Sequence, residues 1–365
     1  MKKESKIFIT GHRGLVGSAL VRRFVSGGYT NLITRTSREL DLTRQGDVET
    51  FFEKERPEYV LLVAGKVGGI LANNTYKAEF IYQNIMIAAN VIHSSYRYGV
   101  KGLLNLGSSC IYPKFAPQPM KEEHLLTGSL EPTNEPYAIA KIAALKLCRY
   151  YNEQYGTNYL SGMPTNLYGP GDNFNLETAH VLPALIRKFH LARMLREKKT
   201  DEMERDLERF PVGFDLKNSL GLKKLGITAE YVEIWGSGEP YREFLYVDDL
   251  AEACIFLMDK CDYREIGEII NIGVGEDMPI KAIAEIVRKI TGFRGEIRYD
   301  RTKPDGTPRK LLDISRIKAL GWTPKTGLET GIRMTYEWYC KSVQRPSTYH
   351  SSGEGLKGSE CNIVP

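Results

Sequence analysis

Long apolar runs are the first thing this sequence lacks. No stretch of the 365 residues approaches the roughly 20 apolar residues that cross a bilayer. The opening Met-Lys-Lys-Glu-Ser-Lys leads into a strand pattern, with no apolar signal core and no small-residue cleavage site. Cysteine is sparse. The six, at 110, 148, 254, 261, 340 and 361, stand far apart, with no CxxC pair and no metal-ligand spacing. This argues against a disulfide framework or a bound metal, and the expected setting is the reducing cytoplasm. Blocks of one charge sign are missing too. A net charge of +5 is spread along the chain, so neither nucleic acid nor a membrane is an expected partner, whereas an anionic small molecule would suit it. There is no internal repeat.

What is present reads as a globular α/β protein. Hydrophobic residues make up 42% and charged residues 26%, within the range from which packed domains are built. The length allows one nucleotide-binding domain and a smaller partner lobe. Strand patterns fall at 6–10, 31–35, 59–64, 102–107, near 158–163, at 230–235 and at 268–272. Helical spacing falls between them, at 14–27, 75–98, 137–155, 180–196, 247–258 and 279–290. YVLLVA and GLLNLG are nearly unbroken apolar runs, the mark of parallel strands covered on both faces. The alternation predicts a Rossmann-type doubly wound parallel sheet with a smaller C-terminal substrate-binding lobe. The expected division is 1–170 for the dinucleotide domain, with 230–258 returning to it. Residues 171–229 and 259–342 form the second lobe, and 343–365 a disordered tail. Within 196–210, eleven of fifteen residues are charged, so a solvated helix or mobile excursion is expected there.

Gly11-His12-Arg13-Gly14-Leu15-Val16-Gly17 lies directly between the first strand and the first helix. Glycines let the turn tighten and let a pyrophosphate approach backbone N–H groups at the positive end of the helix. Arg13 adds a cation. About 20 residues on, NAD sites carry an acid that binds the ribose 2′-hydroxyl. Here the stretch is Thr34-Arg35-Thr36-Ser37-Arg38, with no acid and two arginines. A 2′-phosphate would be attracted, which favours NADP(H); arginines that merely face solvent would leave the choice open.

Tyr137 and Lys141 are spaced i, i+4, on one face of a helix. A phenol serves as a proton donor near neutral pH when a cation lies beside it, and lysine supplies one. Tyr299 and Lys303 share the spacing, in a turn-rich segment without a serine. Ser108, at the end of a central strand, distinguishes the first pair, because its hydroxyl can bond a substrate carbonyl.

With these residues in view, the chain resembles the GDP-L-fucose synthases, extended short-chain dehydrogenase/reductases that act as 3,5-epimerase-4-reductases. The resemblance rests on GHRGLVGSA, AGKVGGILANNTY, LGSSCIYPK, EPTNEPYAIAKIA, PTNLYGPGDNF, HVLPALIRKFH, WGSGEPYREFLYVDDLA and KPDGTPRKLLD. It implies conversion of GDP-4-keto-6-deoxy-D-mannose to GDP-L-fucose by a homodimer that uses NADPH. It also implies that Cys110 and His180 are the base and acid of epimerisation, beside Ser108, Tyr137 and Lys141. Without it, Cys110 reads as a small core residue and His180 as a cap. The cofactor would contact Gly11, Arg13, Gly14, Leu15, Val16, Gly17, Arg35, Ser37, Arg38, Asp41, Leu42, Lys141, Pro164, Thr165, Asn166, Leu167 and His180. The sugar nucleotide would meet Asn166, Lys188, Trp235, Arg242 and Asp305. The family often has arginine where Ser37 stands here, and a small alanine in place of Gly65, a change expected to be without consequence. Residues 193–229 look inserted. The competing readings are another nucleotide-sugar epimerase or dehydratase, and a non-catalytic dinucleotide-binding regulator.

Overall fold

The computed structural model describes residues 1–211 and 219–344. A six-stranded, all-parallel sheet forms its centre, in the spatial order Ile270–Ile272, Tyr159–Pro164, Gly102–Leu106, Tyr59–Leu62, Ile7–Ile9, Leu32–Ile33. The chain winds from Ile7–Ile9 to one edge, then returns past it to build the other side. The switch point lies between Ile7–Ile9 and Tyr59–Leu62, and crevices outside the carboxyl ends of such strands are where ligands bind. Helices Leu15–Ser26 and Val247–Lys260 cover one face, and Gln45–Glu55, Lys77–Arg97 and Glu135–Tyr155 the other. Both faces of the sheet are therefore buried, which is why YVLL and GLLNL carry almost no polar residue.

A second core lies beyond the sheet. Leu182, Leu185, Ile186 and Phe189 of the helix Val181–Arg196 pack there with Ile283 and Val287 of Ile280–Thr291 and with Ile332, Tyr336 and Tyr339 of Leu328–Gln344. The division along the chain differs from expectation at two places. Strand Tyr231–Trp235 pairs in parallel with Glu296–Asp300, and its Val232 and Ile234 join the second core, so it does not return to the central sheet. Ile270–Ile272, expected in the second lobe, is instead the sixth strand of the central sheet. Both corrections have one cause: apolar alternation marks a strand but does not name its partner.

The charged stretch after residue 196 contains a helix, Thr200–Arg209, solvated over most of its surface as expected, but with Met203 and Asp206 buried. Residues 212–218 of the apparent insertion, and the tail 345–365 with Cys361, lie outside the described residues. No helix among those described is long and apolar enough to cross a membrane.

Candidate active site

The glycine loop is built by close approach. Gly11 has φ +64°, and a Cβ there would lie 3.0 Å from Ala64 Cα. A Cβ on Gly17 would lie 2.2 Å from the Gly11 carbonyl oxygen and 2.7 Å from His12 Cα. The helix Leu15–Ser26 therefore sits on the loop more tightly than a side chain would permit. Gly14 caps it with no side-chain hydrogen bond. The N–H groups of Leu15, Val16 and Gly17 have no carbonyl to meet within the helix, and they point with its positive end toward the crevice. A dinucleotide pyrophosphate fits this bare cradle.

At the adenosine end the arginines divide. Arg35 Nη2 donates to Glu55 Oε1 at 2.9 Å, so Arg35 is already paired. Arg13 and Arg38 are exposed, and neither has an ion pair among the described residues. Ser37 is exposed between them. Asp41 accepts from the N–H and hydroxyl of Thr43, which holds its carboxyl below the usual range, and the Leu42 carbonyl accepts from Asn90. Gly65 has more consequence than expected: a Cβ there would lie 2.7 Å from Asn84 Oδ1, a buried amide that also bonds Lys66 and Phe80.

Past the strand Gly102–Leu106 the chain turns through Ser108, whose Oγ accepts from Cys110 N at 3.4 Å. Cys110 is buried. The helix Glu135–Tyr155 brings Tyr137 and Lys141 against this turn. Lys141 Nζ donates to the Leu106 carbonyl at 2.8 Å and lies 5.7 Å from the Tyr137 ring centre. Burial dominates both groups. It raises the Tyr137 pKa, with Cys110 adding to the rise, and lowers that of Lys141 to about 8. Desolvation is therefore the largest influence on the phenol here. Tyr299, the other tyrosine of that spacing, belongs to the strand Glu296–Asp300 in the second lobe.

Pro164 ends its strand beside Ile272, and Thr165 N donates to the Ile272 carbonyl at 3.0 Å. Asn166 Nδ2 donates to the Glu243 carbonyl at 2.8 Å, and Leu167 pairs with Leu245. In the second lobe, Lys188 Nζ donates to the Glu233 carbonyl at 2.9 Å, near the end of the strand that carries Trp235. Trp235 is 66% exposed. Asp305 accepts from the N–H and hydroxyl of Ser237, and Arg242 Nη1 donates to the Thr307 carbonyl at 2.6 Å.

Two residues that sequence reasoning passed over complete the arrangement. Buried Glu243 accepts from the N–H groups of Val274, Gly275 and Leu312, riveting the chain beside Arg242 to the sheet. Lys310, at the centre of PRKLL, has no ion pair among the described residues. Burial lowers its pKa, Cys110 pulls against that, and Arg242 adds to it. Lys310 in turn helps burial to hold the His180 pKa below its ordinary value. Cys110 thus acts electrostatically on Tyr137, Lys141 and Lys310, and Lys310 is coupled in turn to His180 and Arg242. Water reaches most of them, since His180 is exposed and Tyr137, Lys188, Arg242 and Lys310 are half-buried. Yet burial is the largest influence on each of these five. No signal short of the quoted block could have found Lys310, because a lone lysine in a turn-rich stretch reads as surface.

The sequence profile of the NAD dependent epimerase/dehydratase family matches residues 7–207 and 221–273. GDP-L-fucose synthase 1 of Arabidopsis thaliana is 55% identical over 93% of this chain and 95% of its own length. GDP-L-fucose synthase of Escherichia coli is 47% identical over 94% and 98%. The chain belongs to the GDP-L-fucose synthase family. A solved structure of a GDP-D-glycero-L-gluco-heptose synthase from Campylobacter jejuni, in the presence of NADPH, superposes with a TM-score of 0.83. It is 42% identical over 93% of this chain and 99% of its own. Members of this family are nicotinamide dinucleotide enzymes, and the glycine cradle is where this chain would hold one.

Proposed function

We propose that this family member converts GDP-4-keto-6-deoxy-D-mannose to GDP-L-fucose, epimerising C3 and C5 and then reducing C4 with NADPH. The observation that carries the reading is the meeting of Lys141 and Tyr137 with the turn that holds Ser108 and Cys110, at the carboxyl end of the strand Gly102–Leu106. The C4 ketone acidifies the protons on C3 and C5. Cys110, as thiolate, removes each proton, and Tyr137 and Ser108 hydrogen-bond the enolate oxygen as it gains charge. His180 returns a proton from the opposite face. His180 then regains its proton through its exposed ring, and the buried thiol that Cys110 becomes gives its proton up, which resets the pair. When bound, the dinucleotide supplies the hydride for C4. Tyr137 then gives its proton to the C4 oxygen, and Lys141 steadies the charge left behind.

For the nucleotide, Arg242, Lys188 and Lys310 offer cations to a diphosphate. Trp235 offers an exposed ring to the base or ribose. Arg13 and Arg38 are the arginines left for a 2′-phosphate, which supports NADP(H). Tyr82, Tyr96, Tyr150 and Tyr155 are exposed on the helices Lys77–Arg97 and Glu135–Tyr155, a surface suited to a second copy of the chain. We place the enzyme in the cytoplasm.

The deciding experiment incubates purified protein with NADPH and GDP-4-keto-6-deoxy-D-mannose and identifies the sugar formed. Folded protein that leaves NADPH unconsumed overturns the reading. A second reading, C4 reduction of a different GDP-sugar, is favoured by the likeness to the heptose synthase. It predicts faster turnover with a GDP-4-keto-heptose than with the hexose.

A further inference from the structure

Why does the helix Thr200–Arg209, in a stretch so rich in charge, turn a carboxylate inward? The family match runs through residue 207 and resumes at 221, so most of this helix lies within it. Met203, Asp206, Leu207 and Phe210 share one face. Met203 and Asp206 are buried, and Leu207 and Phe210 pack against the second core.

The carboxylate answers Arg187. Both side chains are 0% exposed, and Arg187 Nε donates to Asp206 Oδ1 at 2.9 Å. The rest of the guanidinium fork joins other segments. Nη1 donates to the Phe174 carbonyl at 3.0 Å, and Nη2 to the Phe210 carbonyl at 2.7 Å. The Tyr339 hydroxyl donates to the other Asp206 oxygen. The buried Phe174 ring lies 4.6 Å from Tyr339 and 5.6 Å from Phe210. Nearby, Asn175 Nδ2 donates to the Pro211 carbonyl at 2.8 Å. One cation thus ties the helix Thr200–Arg209 to the chain at Phe174, six residues before His180.

Those six residues are stiff. The Asn175 carbonyl accepts from Thr178 N at 3.1 Å and from Ala179 N at 2.7 Å. Asn173 Nδ2 donates to Thr178 Oγ1 at 2.9 Å. His180, by contrast, caps the helix Val181–Arg196 without a side-chain hydrogen bond, and its ring has no hydrogen-bond partner among the described residues. Its backbone alone therefore places it, held by the helix on one side and by the anchored loop on the other.

We propose that the helix Thr200–Arg209 is a positioning element. Asp206, through Arg187 and Phe174, fixes the loop that presents His180, and so sets the rate of proton return at C3 and C5 without touching the sugar. The inference rests on the reading of His180 as the acid. Removing one partner of a buried ion pair leaves the other uncompensated, which loosens whatever the pair held.

The test separates the two half-reactions in the full-length protein. Solvent-deuterium uptake with inversion at C3 and C5 of GDP-4-keto-6-deoxy-D-mannose, the uptake meant below, calls on His180, because exchange through Cys110 alone would return deuterium to the face it left. NADPH oxidation with the ketone already epimerised at both carbons calls on Tyr137 and Lys141 instead. Asp206→Asn is expected to slow uptake by about tenfold to a hundredfold, since a misplacement near 1 Å costs that much, and to leave the oxidation rate within about threefold. An equal fall in both rates, or wild-type uptake, overturns the proposal. Should Asp206→Asn not fold, Tyr339→Phe removes only the hydroxyl that holds Asp206. It is expected to slow uptake by about threefold with oxidation unchanged, and equal effects, or none, again overturn the proposal. His180→Gln distinguishes the levels. Wild-type uptake in that variant sinks the acid assignment itself, whereas lost uptake there beside wild-type uptake in Asp206→Asn sinks only the positioning role.

Discussion

Gly17→Ala probes the cofactor cradle with a single methyl group. The added Cβ would lie 2.2 Å from the Gly11 carbonyl oxygen, whereas ordinary contact begins at 3.4 Å, so helix and loop must part by about 1.2 Å. The atoms met are backbone, so no side chain can swing aside to absorb the shift. Hydrogen bonds near 2.9 Å from the first-turn N–H groups to a pyrophosphate would stretch to about 4 Å, beyond useful length. Losing one or two bonds to a charged acceptor costs about 3 kcal/mol, or about 100-fold in Kd for NADPH. Fluorescence titration of NADPH against wild type and variant measures this, with thermal unfolding run alongside. Gly46→Ala is the control. Its Cβ would meet nothing within 4 Å, and in the first turn of the helix Gln45–Glu55 alanine is a better helix former, so NADPH affinity should stay unchanged. A Gly17→Ala protein that binds NADPH within about threefold of wild type refutes the close-approach argument.

Three further outcomes follow from the site. Tyr137→Phe removes the proton donor, and kcat for reduction should fall by about 100-fold to 10,000-fold while NADPH affinity persists; a variant within tenfold of wild type contradicts the assignment. Burial lowers the Lys141 pKa to about 8, so its charge is present below that pH and lost above it. The reduction rate should therefore decline as pH rises through about 8, and a profile flat from about pH 7 to about pH 10 speaks against that lysine. Trp235→Ala strips an exposed ring, so the KM for the GDP-sugar should rise by about tenfold. The melting temperature should move little, and an unchanged KM removes Trp235 from the nucleotide site.

The sequence by itself determined the central sheet and the cofactor end. Nearly unbroken apolar runs at 59–62 and 102–106, between helical patterns, mark strands covered on both faces, and glycines at 11, 14 and 17 between a strand and a helix mark a dinucleotide turn. Spacing also put Tyr137 and Lys141 on one helical face, because that relation is local. Tertiary structure decided what depends on partners distant in the chain. It sent Tyr231–Trp235 to Glu296–Asp300 and Ile270–Ile272 to the central sheet, since alternation does not encode pairing. It paired Arg35 with Glu55 and left Arg13 and Arg38 without an ion pair among the described residues. It made desolvation the largest influence at Tyr137, because burial is set by everything folded around a group. It also brought Lys310 within electrostatic reach of Cys110 and Arg242, and moored a charged helix by Arg187 and Asp206. A run of charges looks solvated in one dimension; only folding shows which of them has a buried partner.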